Sequence, residues 1–156
     1  MYGGFGLNIA NSQSLAFYAG KGLKSVTASF ELSMERLRAL GGTLPRGAVA
    51  YGYLPLMRTR ACPLRTAHGC SCGGAPALTD RMGVRFPMEC AGKRYQTLLN
   101  SVPLHIAERD MRGLDYLLLY FTGETPEECA CVIEEFTMRQ KSARPRTSGL
   151  YYRELL

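Results

Sequence analysis

The order of elements in the sequence predicts an α/β fold. It is a partial (β/α) barrel, made of late strand–helix units, with a cysteine-rich loop and a β-hairpin as an insertion. Three observations lead there. Residues 1–57 alternate strand-like and helix-like segments with short connections, as parallel strands with helical crossovers do. Three strands and two helices are fewer than such a sheet usually needs, and the first strand starts abruptly, so the segment reads as the later part of a larger barrel. A small complete α/β domain is the alternative. The 156 residues can bury a real core, yet fall well short of the roughly 250 of a whole barrel.

Each element has its own signal. Phe5–Ile9 (FGLNI) reads as a short buried strand entered through Gly3, Gly4 and Gly6. Ser12 to Ala19 reads as a helix stopped by Gly20 and Gly22, with Leu15, Phe17, Tyr18 and Ala19 apolar. Ser25–Phe30 is strand-like. Ser33 caps a helix whose Met34, Leu37 and Leu40 share a face, and Gly41–Gly42 ends it. Ala48–Met57 is strand-like until Pro55, which forces an edge or an exit.

Beyond residue 57 the character changes. Arg60–Pro76 is rich in Cys, Gly and Pro and reads as an ordered loop that needs something to hold it. Leu78–Cys90 alternates around Met82–Gly83 as a hairpin does. Leu98–Leu99 lead to an Asn100–Ser101 turn, and Pro103 opens a helix through Arg112. Asp115–Phe121 (DYLLLYF) is the clearest buried strand. Thr125, Pro126 and Glu128 make a capping box for a helix reaching Lys141, and the tail after Ala143 reads as irregular. The expected organisation is therefore late barrel units over 1–57, a cysteine-bearing insertion over 58–104, a helix–strand–helix over 105–141 and a basic tail over 142–156.

Composition, 46% apolar and 21% charged, excludes collagen-like, coiled-coil and wholly disordered classes. The net charge of +6 is unevenly spread: +3 over 1–57, +5 over 58–94, −6 over 95–138 and +4 over 139–156. Fifteen of the nineteen cations are Arg, the better fork for phosphate, although a GC-rich genome produces the same bias. A basic stretch beside clustered cysteines is weak evidence for an anionic partner. No basic leader precedes the first cation, Lys21, and the apolar run Leu117–Phe121 is far too short to span a membrane. Six cysteines without a signal peptide suggest a reducing compartment, the cytoplasm.

Cys62, Cys70, Cys72 and Cys90 follow the spacing C-x₇-C-x-C-x₁₇-C, the first three beside Pro63, Gly69, Gly73 and Gly74. Four thiolates suit zinc or an iron–sulfur cluster, with free thiols as the alternative. The C-x-C step differs from the usual zinc-ribbon C-x₂-C. Cys129 and Cys131, two apart on the last helix, point to nearly opposite faces and cannot easily serve one metal together. Of the two histidines, His105 reads as a helix-surface or packing residue and His68 as a loop residue near the cysteines. Neither H-E-x-x-H nor G-x-S-x-G is present.

These residues together resemble a known family. The run Tyr51-Gly-Tyr-Leu-Pro-Leu-Met57, then Arg60-Ala-Cys-Pro63, Gly69-Cys70, Asp80-Arg81-Met82-Gly83, Phe86-Pro87 and Leu99-Asn-Ser-Val-Pro-Leu104, is similar to the peptidase U32, or collagenase-like, family. Asn8, Asn11-Ser12, Ser29-Phe-Glu-Leu32, Leu119-Tyr-Phe-Thr-Gly-Glu124 and Gly149-Leu-Tyr-Tyr-Arg153 extend the likeness over nearly the whole chain. The resemblance implies the last strands of a TIM-like barrel leading into an insertion that holds a [4Fe–4S] cluster on Cys62, Cys70, Cys72 and Cys90. The single residue between Cys70 and Cys72 is tighter than the family pattern, which makes Cys129 or Cys131 the fallback ligands. Zinc is the alternative metal.

Family activities divide between peptidases and oxygen-independent hydroxylation of RNA bases or of a quinone precursor. A redox role fits this chain better, because activating an unreactive position needs a cofactor. Arg58, Arg60, Arg65, Arg81, Arg85, Lys93 and Arg94 are the candidate phosphate contacts, a solvated basic face being the alternative. The catalytic residues stay unassigned. Glu31 and Asn11 are candidates, since residues that follow barrel strands face the end where barrel chemistry sits; Glu31 could equally be an N-terminal helix charge, and Asn8 and Asn11 share that ambiguity. The readings are thus an iron–sulfur RNA hydroxylase, a collagenase-like peptidase, or a non-catalytic metal-stabilised RNA-binding module. Each expects the rest of a barrel, or a partner chain, beside these residues.

Overall fold

The computed structural model describes residues 1–66, 69–70, 76–91 and 94–152. Cys72, His68 and Lys93 lie outside them. The chain forms two compact units, one of Met1–Gly52 with Leu104–Leu156 and one of Tyr53–Pro103. Unit one begins with β1 (Tyr2–Gly3), a 3₁₀ turn (Phe5–Leu7), α1 (Ser12–Gly20), β2 (Ser25–Thr27), α2 (Met34–Ala39) and β3 (Arg46–Gly52). Unit two carries β4 (Pro55–Thr59), β5 (Arg65–Thr66), β6 (Gly69–Cys70), β7 (Ala77–Thr79), β8 (Arg85–Ala91) and β9 (Tyr95–Leu99). The chain then completes unit one with β10 (Leu104–His105), β11 (Tyr116–Leu119) and α3 (Pro126–Thr137). No helix of the described residues is long and apolar enough to cross a membrane.

In unit one, β1, β2, β3 and β11 are parallel and adjacent in the order in which the chain makes them. Gly47 sits at the middle of one row, paired with Thr27 on one side and Tyr116 on the other. The Tyr116 ring lies against Gly47 where a Cβ would stand, and its hydroxyl shares a 3.2 Å hydrogen bond with Thr27 Oγ1. On the α1 side, Leu15 packs with Ile9 and Val26, joined by Tyr18, Leu23 and Leu44. Ser33 caps α2 by accepting from the Arg36 amide, and Met34 and Leu37 are the buried face.

Several expectations need correction. Phe5–Ile9 is not a strand. The strand is Tyr2–Gly3, while Phe5–Leu7 make one 3₁₀ turn closed by Asn8 in the left-handed region, and Phe5 turns to the rings of Phe30 and Tyr120. The apolar run over 48–57 is two strands, because Gly52, at φ 133°, packs directly against the Tyr120 carbonyl where a side chain would not fit. Pro103–Arg112 is not a helix. Leu104, His105, Ile106 and Ala107 are buried in succession, which leaves no polar face, and the first two pair antiparallel with Gly52 and Tyr51. The strand over 116–119 is only half-buried, since β3 is its single neighbour among the described residues. The tail after Ala143 is irregular as expected, with no helix or strand among its described residues, yet it is packed: Tyr151, 2% exposed, donates its hydroxyl to the Val49 carbonyl at 2.7 Å.

Unit two is an antiparallel sheet in the order β4-β9-β8-β7, with β5 and β6 as a separate pair. Its hairpin turns where expected. Asp80 Oδ1 accepts from the Met82 and Val84 amides, and Gly83 takes φ 82°.

Candidate functional site

Register sets Cys90 at the end of the sheet of unit two where β4 leaves toward Cys62. Thr59, the last residue of β4, pairs with Gln96, and Gln96 pairs on its other side with Cys90. Cys62 follows Thr59 by three residues, its carbonyl accepts from the Arg65 amide at 3.1 Å, and Arg65 pairs with Cys70. Cys90 therefore lies at the end of the sheet from which the chain runs on to Cys62, and the backbone of Cys70 is tied to that segment through β5; Cys72 lies outside the described residues. The Cys62 and Cys90 thiols are free, one half-buried and one exposed. Among the described residues, no three His, Cys, Asp or Glu side chains gather around a single point. The Cys62 and Cys90 thiols are donors of the kind a thiophilic centre takes. In the Cys90 row, Thr59 Oγ1 and Gln96 Oε1 are buried without a partner, though each hydrogen bond left unmade costs about 1–3 kcal/mol.

The candidate phosphate contacts form two groups rather than one. Arg58, Arg60, Arg65 and Arg94 are exposed at the cysteine end. Arg81 and Arg85, also exposed, belong to the opposite end, where the β7–β8 turn lies. The seven residues of β8 separate the ends by about 20 Å. Lys93 is outside the described residues.

In unit one the candidates lie on the carboxyl-end side of the parallel strands. Glu31 is exposed a few residues past β2, its amide bonded to Ser29 Oγ. Asn11 is engaged structurally: its side-chain oxygen accepts the Ser14 amide at 2.8 Å and caps α1. Residues not offered as site candidates from sequence also gather here. Tyr51, Phe121, His105 and Phe136 form a ring-against-ring chain with centroids 5.0–5.9 Å apart. His105 is 2% exposed, and its Nε2 meets Glu135 Oε2 at 2.7 Å while Nδ1 has no partner. Of the two readings of His105, helix surface or packing, the packing one holds, on a strand rather than a helix. The signal was the run L-H-I-A, four successive positions with no polar face.

Cys129 and Cys131 stand on α3, in unit one; Cys131 is exposed, 3.9 Å from an Arg144 guanidinium nitrogen. The same guanidinium reaches Glu135 at 3.6 Å, and Arg146 reaches Glu108 at 3.0 Å. Burial raises the Glu108 carboxyl, but its own amide, Arg146 and Arg109 outweigh that and hold it below the ordinary carboxylate range. The Arg112 side chain and amide bring Asp110 down to about 2, with smaller help from Arg38. The acidic block and the basic tail thus meet within unit one. No family model, curated protein or solved structure matches the chain.

Proposed function

We propose that this chain is the late part of a U32-type TIM-like barrel that holds a [4Fe–4S] cluster and takes part in oxygen-independent hydroxylation of RNA bases in the cytoplasm. The observation that carries the reading is the register that sets Cys90 in one row with Gln96 and Thr59, three residues before Cys62, with Arg65 paired to Cys70 just beyond. Cys72 would be the fourth ligand. Cys129 and Cys131, the fallback ligands, stand on α3 of the other unit.

The parallel strands support the barrel part of the reading. They are laid down in chain order without reversal, the winding that closed (β/α) barrels use, whereas doubly wound sheets reverse at a switch point. β1 and β11 each have one strand neighbour among the described residues. Further strands, from the same protein or a partner chain, would add at those edges.

When bound, the cluster supplies one-electron transfer, which side chains do poorly. The chain's own residues hold and position. Cysteine thiolates grip the metal, exposed arginines neutralise substrate phosphates, and Glu31 offers a carboxylate on the carboxyl-end side of the sheet. Asn11 is better read as a cap than as a catalyst.

One observation favours a second reading. Unit two is compact by itself and strongly basic, which suits a non-catalytic RNA-binding module stabilised by a cluster or by zinc. Anaerobic purification separates the cases. The proposal expects brown protein with broad absorption near ~400 nm and equal iron and sulfide, lost in Cys62→Ser and Cys90→Ser. Colourless protein with one zinc would sink the cluster, and casein cleavage that survives both substitutions would favour the peptidase.

A further inference from the structure

Nearly all of the net charge belongs to unit two. Residues 53–103 hold seven Lys and Arg against two Asp and Glu, while the rest of the chain holds twelve against eleven. In unit one, arginines pair with Glu108, Asp110 and Glu135. A polyanion approaching the chain is therefore drawn to unit two.

At the cysteine end of that unit stands a residue of another kind. Tyr95 opens β9, and it is 39% exposed while its neighbours Gln96 and Thr97 are buried. The Arg58 guanidinium lies 5.3 Å from the Tyr95 ring centroid, steadying the ring. Arg94 precedes it in a turn closed by its own amide on the Ala91 carbonyl. Arg60 follows β4, and Arg65 opens β5, both exposed. Register sets Tyr95 opposite Ala91, one residue from Cys90.

An exposed ring flanked by arginines offers two things to a nucleic acid: a π-face for a base and cations for the phosphates beside it. Only an unpaired strand can use both. In a duplex the base faces are covered by their neighbours, and the A-form major groove is too deep and narrow for side chains to read.

We propose that Tyr95 is the stacking platform of a single-stranded RNA site, with Arg58, Arg60, Arg65 and Arg94 holding the flanking phosphates. This rests on the RNA reading above and narrows its substrate to unpaired nucleotides. The site lies beside Cys90, so a stacked base reaches the neighbourhood of one candidate metal ligand. Arg81 and Arg85, about 20 Å away at the other end of β8, are not part of it.

The test is fluorescence anisotropy on the full chain, purified anaerobically, with a labelled ten-nucleotide RNA, alone or annealed to its complement, across a salt series. The wild type should bind the single strand more tightly than the duplex. Tyr95→Ala and the bulk-preserving Tyr95→Leu should each weaken single-strand binding about tenfold or more at unchanged salt slope, and Tyr95→Phe should retain it. Arg60→Ala should lower the slope of log K against log salt by about 0.7, and Lys24→Ala, in unit one, should change nothing. Wild-type affinity in both Tyr95→Ala and Tyr95→Leu overturns the proposal, as does equal affinity for the duplex. So does a poly-glutamate peptide bound as tightly and with the same Tyr95 dependence. Iron and sulfide measured on the same samples keep the two claims apart. A cluster-bearing chain indifferent to Tyr95 refutes this site alone, whereas iron-free protein with Tyr95-dependent binding refutes the cluster alone.

Discussion

Replacing Tyr151 by Phe removes one oxygen atom from the interior of unit one. That oxygen donates to the Val49 carbonyl at 2.7 Å. On β3, Val49 lies between Gly47, which pairs with β2, and Tyr51, which pairs with β10. The hydroxyl thus satisfies a carbonyl on a strand whose ladder changes partners there. Tyr151→Phe keeps the ring in place but leaves a buried acceptor without a donor, at a cost of about 1–3 kcal/mol. For a chain of 156 residues each kcal/mol moves the thermal midpoint by about 2–4 °C, so the expected fall is ~2–12 °C. Urea unfolding followed by far-UV circular dichroism should show a lower midpoint at unchanged slope. A second signature comes from alkali. Burial pushes the Tyr151 hydroxyl far above the ordinary phenol value, its bond to Val49 opposing only part of that. The folded value lies above the unfolded one, so this stabilisation is whole below about pH 10 and is lost as pH rises further. Wild type should therefore weaken above about pH 10 more steeply than the variant does. A Tyr151→Phe protein within ~0.5 kcal/mol of wild type at neutral pH, with the same alkaline limb, would refute the reasoning.

Two further outcomes follow from unit one. A methyl group at Gly47 would strike the Tyr116 ring and stand 2.7 Å from the Tyr116 carbonyl oxygen, so Gly47→Ala should destabilise by at least about 1–3 kcal/mol in thermal melts. Adding Tyr116→Ala should recover only part of this, because the carbonyl contact remains; full recovery would show that the ring alone forbids the methyl. Acid should also act through Asp110, whose carboxyl is held at about 2 against an ordinary 3.8. Its contribution is whole above the ordinary value and fades as pH falls toward 2, so Asp110→Asn should flatten that part of the pH–stability curve. An unchanged acid limb in urea midpoints would show that Arg112 and Arg38 do not stabilise the carboxylate.

Local chemistry explains what was legible in the sequence. Thr125 accepts the Glu128 amide and Glu128 returns the bond, so the start of α3 could be read from four residues. Ser33 and the Asp80–Gly83 turn were readable for the same reason, since each is closed by atoms a few residues apart. Phe5–Ile9 misled because Phe5 turns to the rings of Phe30 and Tyr120, distant in sequence, while Ile9 packs against Leu15 and Val26. The helix expected over 103–112 failed because the end of β3 claims Leu104 and His105 as strand partners. The cysteines were legible as a set by spacing, but the place of Cys90 in one row with the end of β4, three residues before Cys62, depends on the register of β4, β9 and β8.

The sequence by itself determined residue supply and local punctuation: four cysteines near a basic stretch, the caps and hairpin turn, and a parallel βαβ order over the first third of the chain. Tertiary structure decided which of these meet. It paired the basic tail with the acidic block, turned His105 inward against Glu135, sent Tyr151 to the Val49 carbonyl and left Tyr95 exposed among arginines. The division has a physical cause. Caps and turns are settled by hydrogen bonds spanning a few residues, whereas strand register and charge pairing join positions tens of residues apart, and their geometry exists only once the chain has folded.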